Sequence, residues 1–344
     1  MKDSLRKEYI GDARNLHFIA DKCVDLIVTS PPYWQKRDYE IEGQIGQEKT
    51  PEEYAEAIIA AMKEWQRVLR PSGSVFLNIG DTYYQKSLQS IPSLIEASSR
   101  KDGWILRNRI VWVKKGGIPD PVKDRLTVRH EYILHFAINS YYYDLFGYAE
   151  LYSAGKKGAN PGDVWEITPE RSMGKHLAPF PSEIVERAII LACPEKVCSK
   201  CGKPCRRIVK RTAELDPSRP QAKRALEIVK EKKLTPEHIA AIQATGISDA
   251  GKARRVQNGT DRNSERVKKL ALEAKEMLGG YFREFTFAKR KSCGWTDCGC
   301  RVPFVPGVVL DPFMGTGTTL DVANRMGRSA IGVDLDPSQV EEVS

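Results

Sequence analysis

Val308-Val309-Leu310-Asp311-Pro312-Phe313-Met314-Gly315-Thr316-Gly317-Thr318-Thr319 reads as a buried strand that enters a tight glycine turn and leaves it as a helix, Thr319 to Met326. Two glycines one residue apart let backbone approach a ligand closely. A turn at the carboxyl end of a parallel strand is where doubly wound folds bind nucleotide-like cofactors. No Lys follows Gly317, so the turn is not a phosphate-gripping Walker loop. The third glycine of the dinucleotide fingerprint is also missing, which weakens a nicotinamide or flavin reading. Further on, Ala330-Ile331-Gly332-Val333-Asp334 is a second strand ending in an acid, the position from which a carboxylate accepts hydrogen bonds from ribose hydroxyls.

Outward from that turn, the first half of the chain uses the same α/β alternation. Val24 to Thr29 and Val75 to Ile79 read as buried strands. Pro51 to Leu69 between them reads as a helix, with Thr50 as its N-cap and Pro71-Ser72-Gly73 as its stop. Further strands are expected at Trp104 to Val113 and His130 to Ala137, and a helix at Ser182 to Ala192 that ends near Pro194. From Cys193 the sequence turns basic and helix-rich, and at Val308 it returns to strand, turn and helix. The chain therefore divides into 1–192, an insertion at 193–305, and 306–344, the two outer parts forming one domain.

Of the 344 residues 41% are hydrophobic and 29% charged, too apolar a mixture for global disorder. The formal charge is +9, yet between Arg206 and Lys291 stand 22 Lys and Arg against 11 Asp and Glu, so the rest of the chain carries −2. An imbalance confined to one region exceeds what solubility needs and points to nucleic acid. The plainer alternative is a solvated helical arm built from segments such as Gln221 to Lys233 and Ser264 to Leu278. No apolar run reaches the length of a secretory signal or a membrane span, so a cytoplasmic protein is expected. In a reducing cytosol, clustered cysteines favour metal over disulfides. Cys198-x-x-Cys201 and Cys298-x-Cys300 bracket the insertion, and four thiolates in two close pairs make a tetrahedral structural zinc site that ties its ends. Cys205 and Cys293 are reserves for the quartet, while Cys23 and Cys193 read as packing residues.

At the end of the strand Val24 to Thr29 the chain continues Ser30-Pro31-Pro32-Tyr33-Trp34. Proline offers a carbonyl without an N–H, so this corner presents acceptors free of competing donors, suited to gripping an amino group by its hydrogens. Methylating an exocyclic amine has that requirement. The nitrogen lone pair is conjugated into the ring, and acceptors on its hydrogens draw it toward a nucleophilic geometry. Ser30 adds an acceptor, and Tyr33 a ring that can stack on a base rotated out of a duplex. A proline-ended strand with aromatic packing is the bland reading, and the glycine turn tips the balance against it.

Thr29 to Trp34, the later Asp311 to Thr319 and the acid of Gly332-Val333-Asp334 together resemble the exocyclic-amino DNA methyltransferases of the β order, in which the catalytic element precedes the cofactor element. The resemblance implies a Rossmann-like, S-adenosylmethionine-dependent fold with a seven-stranded, mostly parallel sheet in permuted order. It also implies direct methyl transfer to a flipped base without a covalent enzyme intermediate. It makes Ser30, Pro31, Pro32 and Tyr33 the catalytic element, Asp311, Pro312, Phe313, Gly315, Gly317, Thr318 and Thr319 the methionine-side loop, and Asp334 the ribose acid. In the permuted order Lys7 to Asp12 supplies the third strand, with Asp12 either an adenine-side contact or a plain turn aspartate. Lys175 to Pro181 resembles the segment that closes over the cofactor, with His176 and Phe180 as its contacts and Leu177 departing from the aromatic residue usual there. Lys114 to Arg125 resembles a loop flanking the flipped base, or is a plain basic loop.

Within the family the chain resembles, a first-position Ser, as at Ser30, leans toward cytosine N4 as the target and Asp toward adenine N6, which is the alternative. No proline-cysteine nucleophile stands near this element, which argues against methylation of a ring carbon. Double-stranded DNA, contacted through the 193–305 insertion, is the expected partner, and no membrane. The chain carries no nuclease signature, which leaves open whether a cognate restriction endonuclease is among its partners. An RNA or protein-glutamine methyltransferase, and a zinc-anchored DNA-binding protein without activity, are the more distant alternatives.

Overall fold

The computed structural model describes residues 5–116, 121–152, 160–170, 180–212, 220–245, 265–278 and 290–339. The chain divides into two compact units, Met1–Arg206 with Thr296–Ser344, and Arg207–Trp295. The second unit is narrower than the 193–305 interval drawn from composition. Cys193 is buried in the core of the first unit, and the strands around Cys198 and Phe304 pair within that unit.

In the first unit β1 (Arg6–Ile10) and β2 (Val24–Thr29) precede α1 (Pro51–Val68). A capping box fixes the start of α1: the Thr50 hydroxyl accepts the Glu53 N–H at 3.1 Å and the Glu53 carboxylate accepts the Thr50 N–H at 3.2 Å. β3 (Leu69–Ile79) begins where α1 ends. Pro71-Ser72-Gly73, expected as a turn before the strand, is instead absorbed as an irregularity within it, since Val24 pairs with Leu69 and Leu26 with Ser74. A short hairpin of β4 (Tyr83–Tyr84) and β5 (Ser87–Leu88) leads into α2 (Ile91–Lys101), β6 (Ile105–Lys114) and β7 (His130–Ala137). α3 (Leu145–Tyr152), β8 (Val164–Ile167), α4 (Ser182–Ala192) and β9 (Val197–Cys198) follow.

The second unit holds β10 (Arg207–Arg211), α5 (Pro220–Glu231), α6 (Pro236–Thr245), α7 (Glu265–Leu278) and β11 (Arg290–Trp295). Its helices share a small core that includes Ala225, Leu234, Ile242 and Ala274, and β10 pairs antiparallel with β11. Back in the first unit come β12 (Phe304–Val305), β13 (Val308–Asp311), α8 (Thr318–Arg325) and β14 (Ser329–Asp334). No described helix is long and apolar enough to cross a membrane.

The central sheet runs β1-β14-β13-β2-β3-β7-β6-β8. It is parallel except at β7, which lies antiparallel to both its neighbours. Eight strands stand where seven were implied. The extra one, β8, pairs parallel with β6 at the far edge, and its Val164-Trp165-Glu166-Ile167 run, only four residues long, leaves too little alternation to read in sequence. β1 pairs parallel with β14, from Arg6 opposite Ala330 to Ile10 opposite Asp334, so the N-terminal strand takes the outer position of the permuted order.

Strand periodicity builds both faces of this sheet. Ile27, Val75 and Leu77 point into a cluster with Tyr54, Ile58, Met62 and Trp65 of α1, whereas Leu26, Val28 and Phe76 point into another with Ile184, Ala188 and Leu320 of α4 and α8. Helices therefore cover both faces of a buried sheet, and the open ground for a ligand is the carboxyl edge of the strands.

Candidate active site

β13 pairs in parallel with β2, Val309 opposite Leu26 and Leu310 opposite Ile27. Both strands therefore release their following segments at the same edge. The glycine turn after β13 and the proline corner after β2, at opposite ends of the sequence, become neighbours. Thr29 and Asp311 bridge them: the Thr29 hydroxyl donates to the buried Asp311 carboxylate at 2.6 Å. Asp311 also accepts from the Thr319 hydroxyl at 2.6 Å and from the Phe313 N–H at 3.1 Å. Burial pushes Asp311 up to about 6 against the pull of those three donors.

Gly315 (φ 48°) and Gly317 (φ 81°) take left-handed conformations that carry the chain through the turn into α8. The Gly315 N–H donates to the Asp334 carboxylate at 2.8 Å, and the Asp336 N–H to its other oxygen at 2.9 Å. Each oxygen so engaged keeps a further lone pair.

The proline corner is locked from several sides. Tyr54 donates its hydroxyl to the Pro32 carbonyl at 2.9 Å, and the buried Trp34 donates its indole N–H to the Glu48 carbonyl at 2.9 Å. One lone pair of the Pro32 carbonyl is thus already occupied. Gly80, just past β3, lets the Tyr33 ring lie against the backbone, where a Cβ would stand 2.7 Å from Tyr33 Cε2. The Tyr33 hydroxyl donates to Glu131 Oε2 at 2.6 Å, and Lys114 Nζ holds Glu131 Oε1 at 2.5 Å. Burial first, and the Glu131 charge after it, raise the Tyr33 pKa well above its ordinary value. Asn78 and Glu131 carry no signal in the sequence, and Lys114, read there as the start of a basic loop, gives no sign of a carboxylate partner. Each sits on an ordinary strand, and only the pairing of β7 between β3 and β6 brings them together.

A cavity of 910 Å³ opens over these strand ends. Of the residues singled out from sequence, Ser30, Pro31, Pro32 and Tyr33 line it together with Asp12, Phe180, Pro312, Phe313, Gly315, Thr318 and Asp334. Asp311, Gly317 and Thr319 do not line it; they hold the turn from behind. Asp12 is bound bidentately by Arg14, at 2.9 and 2.6 Å. Burial opposes the Asp12 charge, and the Arg14 hydrogen bonds outweigh it to keep the carboxyl below its usual range. His176 lies outside the described residues. Lys36, Arg37, Lys114 and Arg125 bring positive charge to the cavity, and Arg125 stacks over the Tyr83 ring with its guanidinium carbon 4.0 Å from the centroid.

Elsewhere in the first unit, Cys198, Cys201, Cys298 and Cys300 converge, their sulfurs all within 4.8 Å of one another. That spacing suits four thiolates around one tetrahedral ion. Cys193 is fully buried, and burial pushes its thiol up to about 12, as a packing residue requires.

A family model described as DNA methylase, of the N6/N4 methyltransferase type, matches residues 24–197 and 305–344, leaving out the interval between. The Type II methyltransferase M.MwoI of Methanothermobacter wolfeii is 40% identical over 174 residues, 49% of this chain and 24% of that protein. M.Cfr9I of Citrobacter freundii, also a Type II methyltransferase, is 32% identical over 211 residues, 52% of this chain and 70% of that protein. The solved structure of PvuII DNA methyltransferase (cytosine-N4-specific) superposes with a TM-score of 0.56 over 99% of this chain and 89% of that one, at 15% identity, a likeness of fold.

Proposed function

The chain belongs to the N6/N4 family of DNA methylases, and from that premise we propose that it transfers a methyl group from S-adenosylmethionine to the exocyclic N4 of cytosine in a base flipped out of double-stranded DNA. The observation that carries this reading is the parallel pairing of β2 with β13, which gives the Ser30–Tyr33 corner and the glycine turn one cavity. S-adenosylmethionine supplies a methyl group on a sulfonium when bound. Asp334, with lone pairs left over from its two backbone bonds, takes the ribose hydroxyls. Phe313 and Phe180 supply apolar walls, and Asp12, fixed by Arg14, stands on the adenine side. Ser30 and the proline carbonyls accept the amino hydrogens and orient the nitrogen lone pair. Ser30 in the leading position favours cytosine over adenine.

The basic 193–305 interval serves as the DNA-contacting region, and Cys198, Cys201, Cys298 and Cys300 hold a structural zinc ion, their sulfur spacing fitting that donor set. Incubating the purified chain with DNA and S-adenosylmethionine, digesting to nucleosides and weighing the products tests the reading. N4-methylcytosine is the expected product. N6-methyladenine alone would overturn the choice of base, and no methylated nucleoside from a chain that binds the cofactor would overturn the activity.

A further inference from the structure

Behind the proline corner the hydrogen bonds have a direction. Ser30 Oγ donates to Tyr33 Oη at 3.5 Å, and Tyr33 Oη donates to Glu131 Oε2 at 2.6 Å. The first contact is long, as catalytic hydrogen bonds commonly are before substrate binds. Asn78 Nδ2 shares its two hydrogens among all three oxygens, Ser30 Oγ at 3.3 Å, Tyr33 Oη at 2.8 Å and Glu131 Oε2 at 3.1 Å. An amide nitrogen has only hydrogens to give, so both hydroxyls must turn their own protons away from Asn78. Protons then point one way along the chain, from serine to tyrosine to carboxylate. Asn78 holds this orientation while its own Oδ1 is buried without a partner among the described residues. Lys114 occupies the second carboxylate oxygen and leaves Oε2 to face Tyr33.

An amino nitrogen that gains a methyl group gains a positive charge and must shed a proton. The carbonyls of Pro31 and Pro32 can hold an N–H but are too weakly basic to keep its proton. The other carboxylates lining the cavity have partners elsewhere: Arg14 for Asp12, the Thr82 and Ile91 N–H groups for Asp81, Ser182 for Glu170, the Gly315 and Asp336 N–H groups for Asp334, and the Ser338 N–H for Asp336. Among the described residues Glu131 is the carboxylate bonded to the serine-tyrosine corner.

We propose that Glu131 is the terminal acceptor of the proton released from the target amino group, delivered from Ser30 through Tyr33, with Asn78 and Lys114 as positioning residues. This role rests on the amino-methyltransferase reading above. The nitrogen lone pair forms the new N–C bond as the methyl–sulfur bond breaks and its electron pair stays on sulfur. The N–H bond then breaks, its pair returning to nitrogen. Ser30 accepts that proton while passing its own to Tyr33, Tyr33 passes its own to Glu131, and Glu131 ends neutral with no change of oxidation state anywhere. Tyr33, held protonated by its burial, relays the proton and does not store it.

Glu131→Gln, Tyr33→Phe and the double variant test the wire, alongside Glu131→Asp. Each single change is expected to lower kcat by about 100-fold, the usual worth of a positioned acid or base, and to leave KM for DNA within about threefold. Calorimetric affinity for S-adenosylmethionine and the thermal midpoint are expected to stay at wild-type values. The double variant is expected to be no slower than the slower single, since either cut severs the same path. Glu131→Asp, which keeps a carboxylate, is expected to recover part of the rate. A Glu131→Gln chain with wild-type kcat overturns the proposal. So does a double variant whose loss is the product of the singles, or a folded Gln variant that loses cofactor binding, which would mark Glu131 as structural. If the Gln variant cannot be folded, an unimpaired Tyr33→Phe chain overturns it as well. These outcomes require a wild-type chain that methylates DNA; one that binds the cofactor and methylates nothing ends the parent reading, and this role with it.

Discussion

Asp311 and Asp334 end neighbouring strands with the same carboxylate, yet their surroundings divide the work. Asp311 is sealed under the turn with three donors upon it, so it fixes the shape of the glycine loop and bridges to Thr29. Asp334 borders the cavity and keeps lone pairs to offer a ligand. His135 on β7 is a buried base: burial first, and the Arg107 charge after it, pull its pKa from 6.5 down to about 3. A base depressed in the folded state adds stability above its unfolded pKa and loses it as pH falls toward the folded value. The His135 share of the unfolding free energy should therefore decline from pH 6.5 toward about 3, by up to roughly 5 kcal/mol. Asp25 and Asp311, both raised to about 6, work in the opposite sense, losing stability as pH rises from 3.8 to that value. Comparison with His135→Phe, which keeps a ring against Phe76, isolates the histidine share. Urea unfolding of both chains across this pH range should show a shallower acid slope for the variant, and parallel slopes would rule the assignment out.

α1 carries its own instructions: an N-cap hydroxyl, Pro51 at the first position, Glu53 to close the capping box and an apolar stripe that buries Tyr54, Ile58, Met62 and Trp65. Thr50→Ala should cost about 1 kcal/mol, read as a lowered urea midpoint, while Thr50→Ser should stay near wild type. Of these start signals α2 shares only the proline of its first turn, Pro92, since Ser90 enters it in the left-handed region (φ 59°) without a side-chain cap, and it is not among the helices expected from sequence. β7 was legible as a strand to the residue, His130–Ala137, but its neighbours were not. Trp112 lies opposite Glu131 because β6 returns antiparallel beside it, and only that register carries Lys114 to the carboxylate. A strand pattern specifies which face of a residue is buried, and it is silent on which strand will lie alongside.

Across the whole molecule the cysteine pairs were readable as pairs from their spacing, and the fold brings Cys198, Cys201, Cys298 and Cys300 to one point. If zinc is bound there, metal analysis of the purified chain should give about one ion per chain, because four thiolates complete one tetrahedral site. Stripping it with a strong chelator, or Cys198→Ser, should lower the thermal midpoint by about 5 °C or more, with the thiols of the cluster becoming reactive, Cys198, Cys201, Cys298 and Cys300 in the stripped chain and the last three in the variant. An unchanged midpoint with no metal present would remove zinc from the description.

What the sequence determined by itself was local: the strand, turn, helix and acid of the C-terminal cofactor element, the acceptor-rich corner after β2, the capped helix and the thiol pairs. Those features depend on residues within a few positions of one another, so backbone propensity and side-chain chemistry suffice to read them. Tertiary structure decided the rest. It set β13 beside β2 and β1 beside β14, withdrew Asp311, Gly317 and Thr319 from the cavity wall, and delivered Asn78, Lys114 and Glu131 to Tyr33. The reason is that a strand edge offers the same N–H and C=O groups to any partner. The choice among partners is made by burying all the apolar faces at once, a property of the whole chain that no single stretch contains.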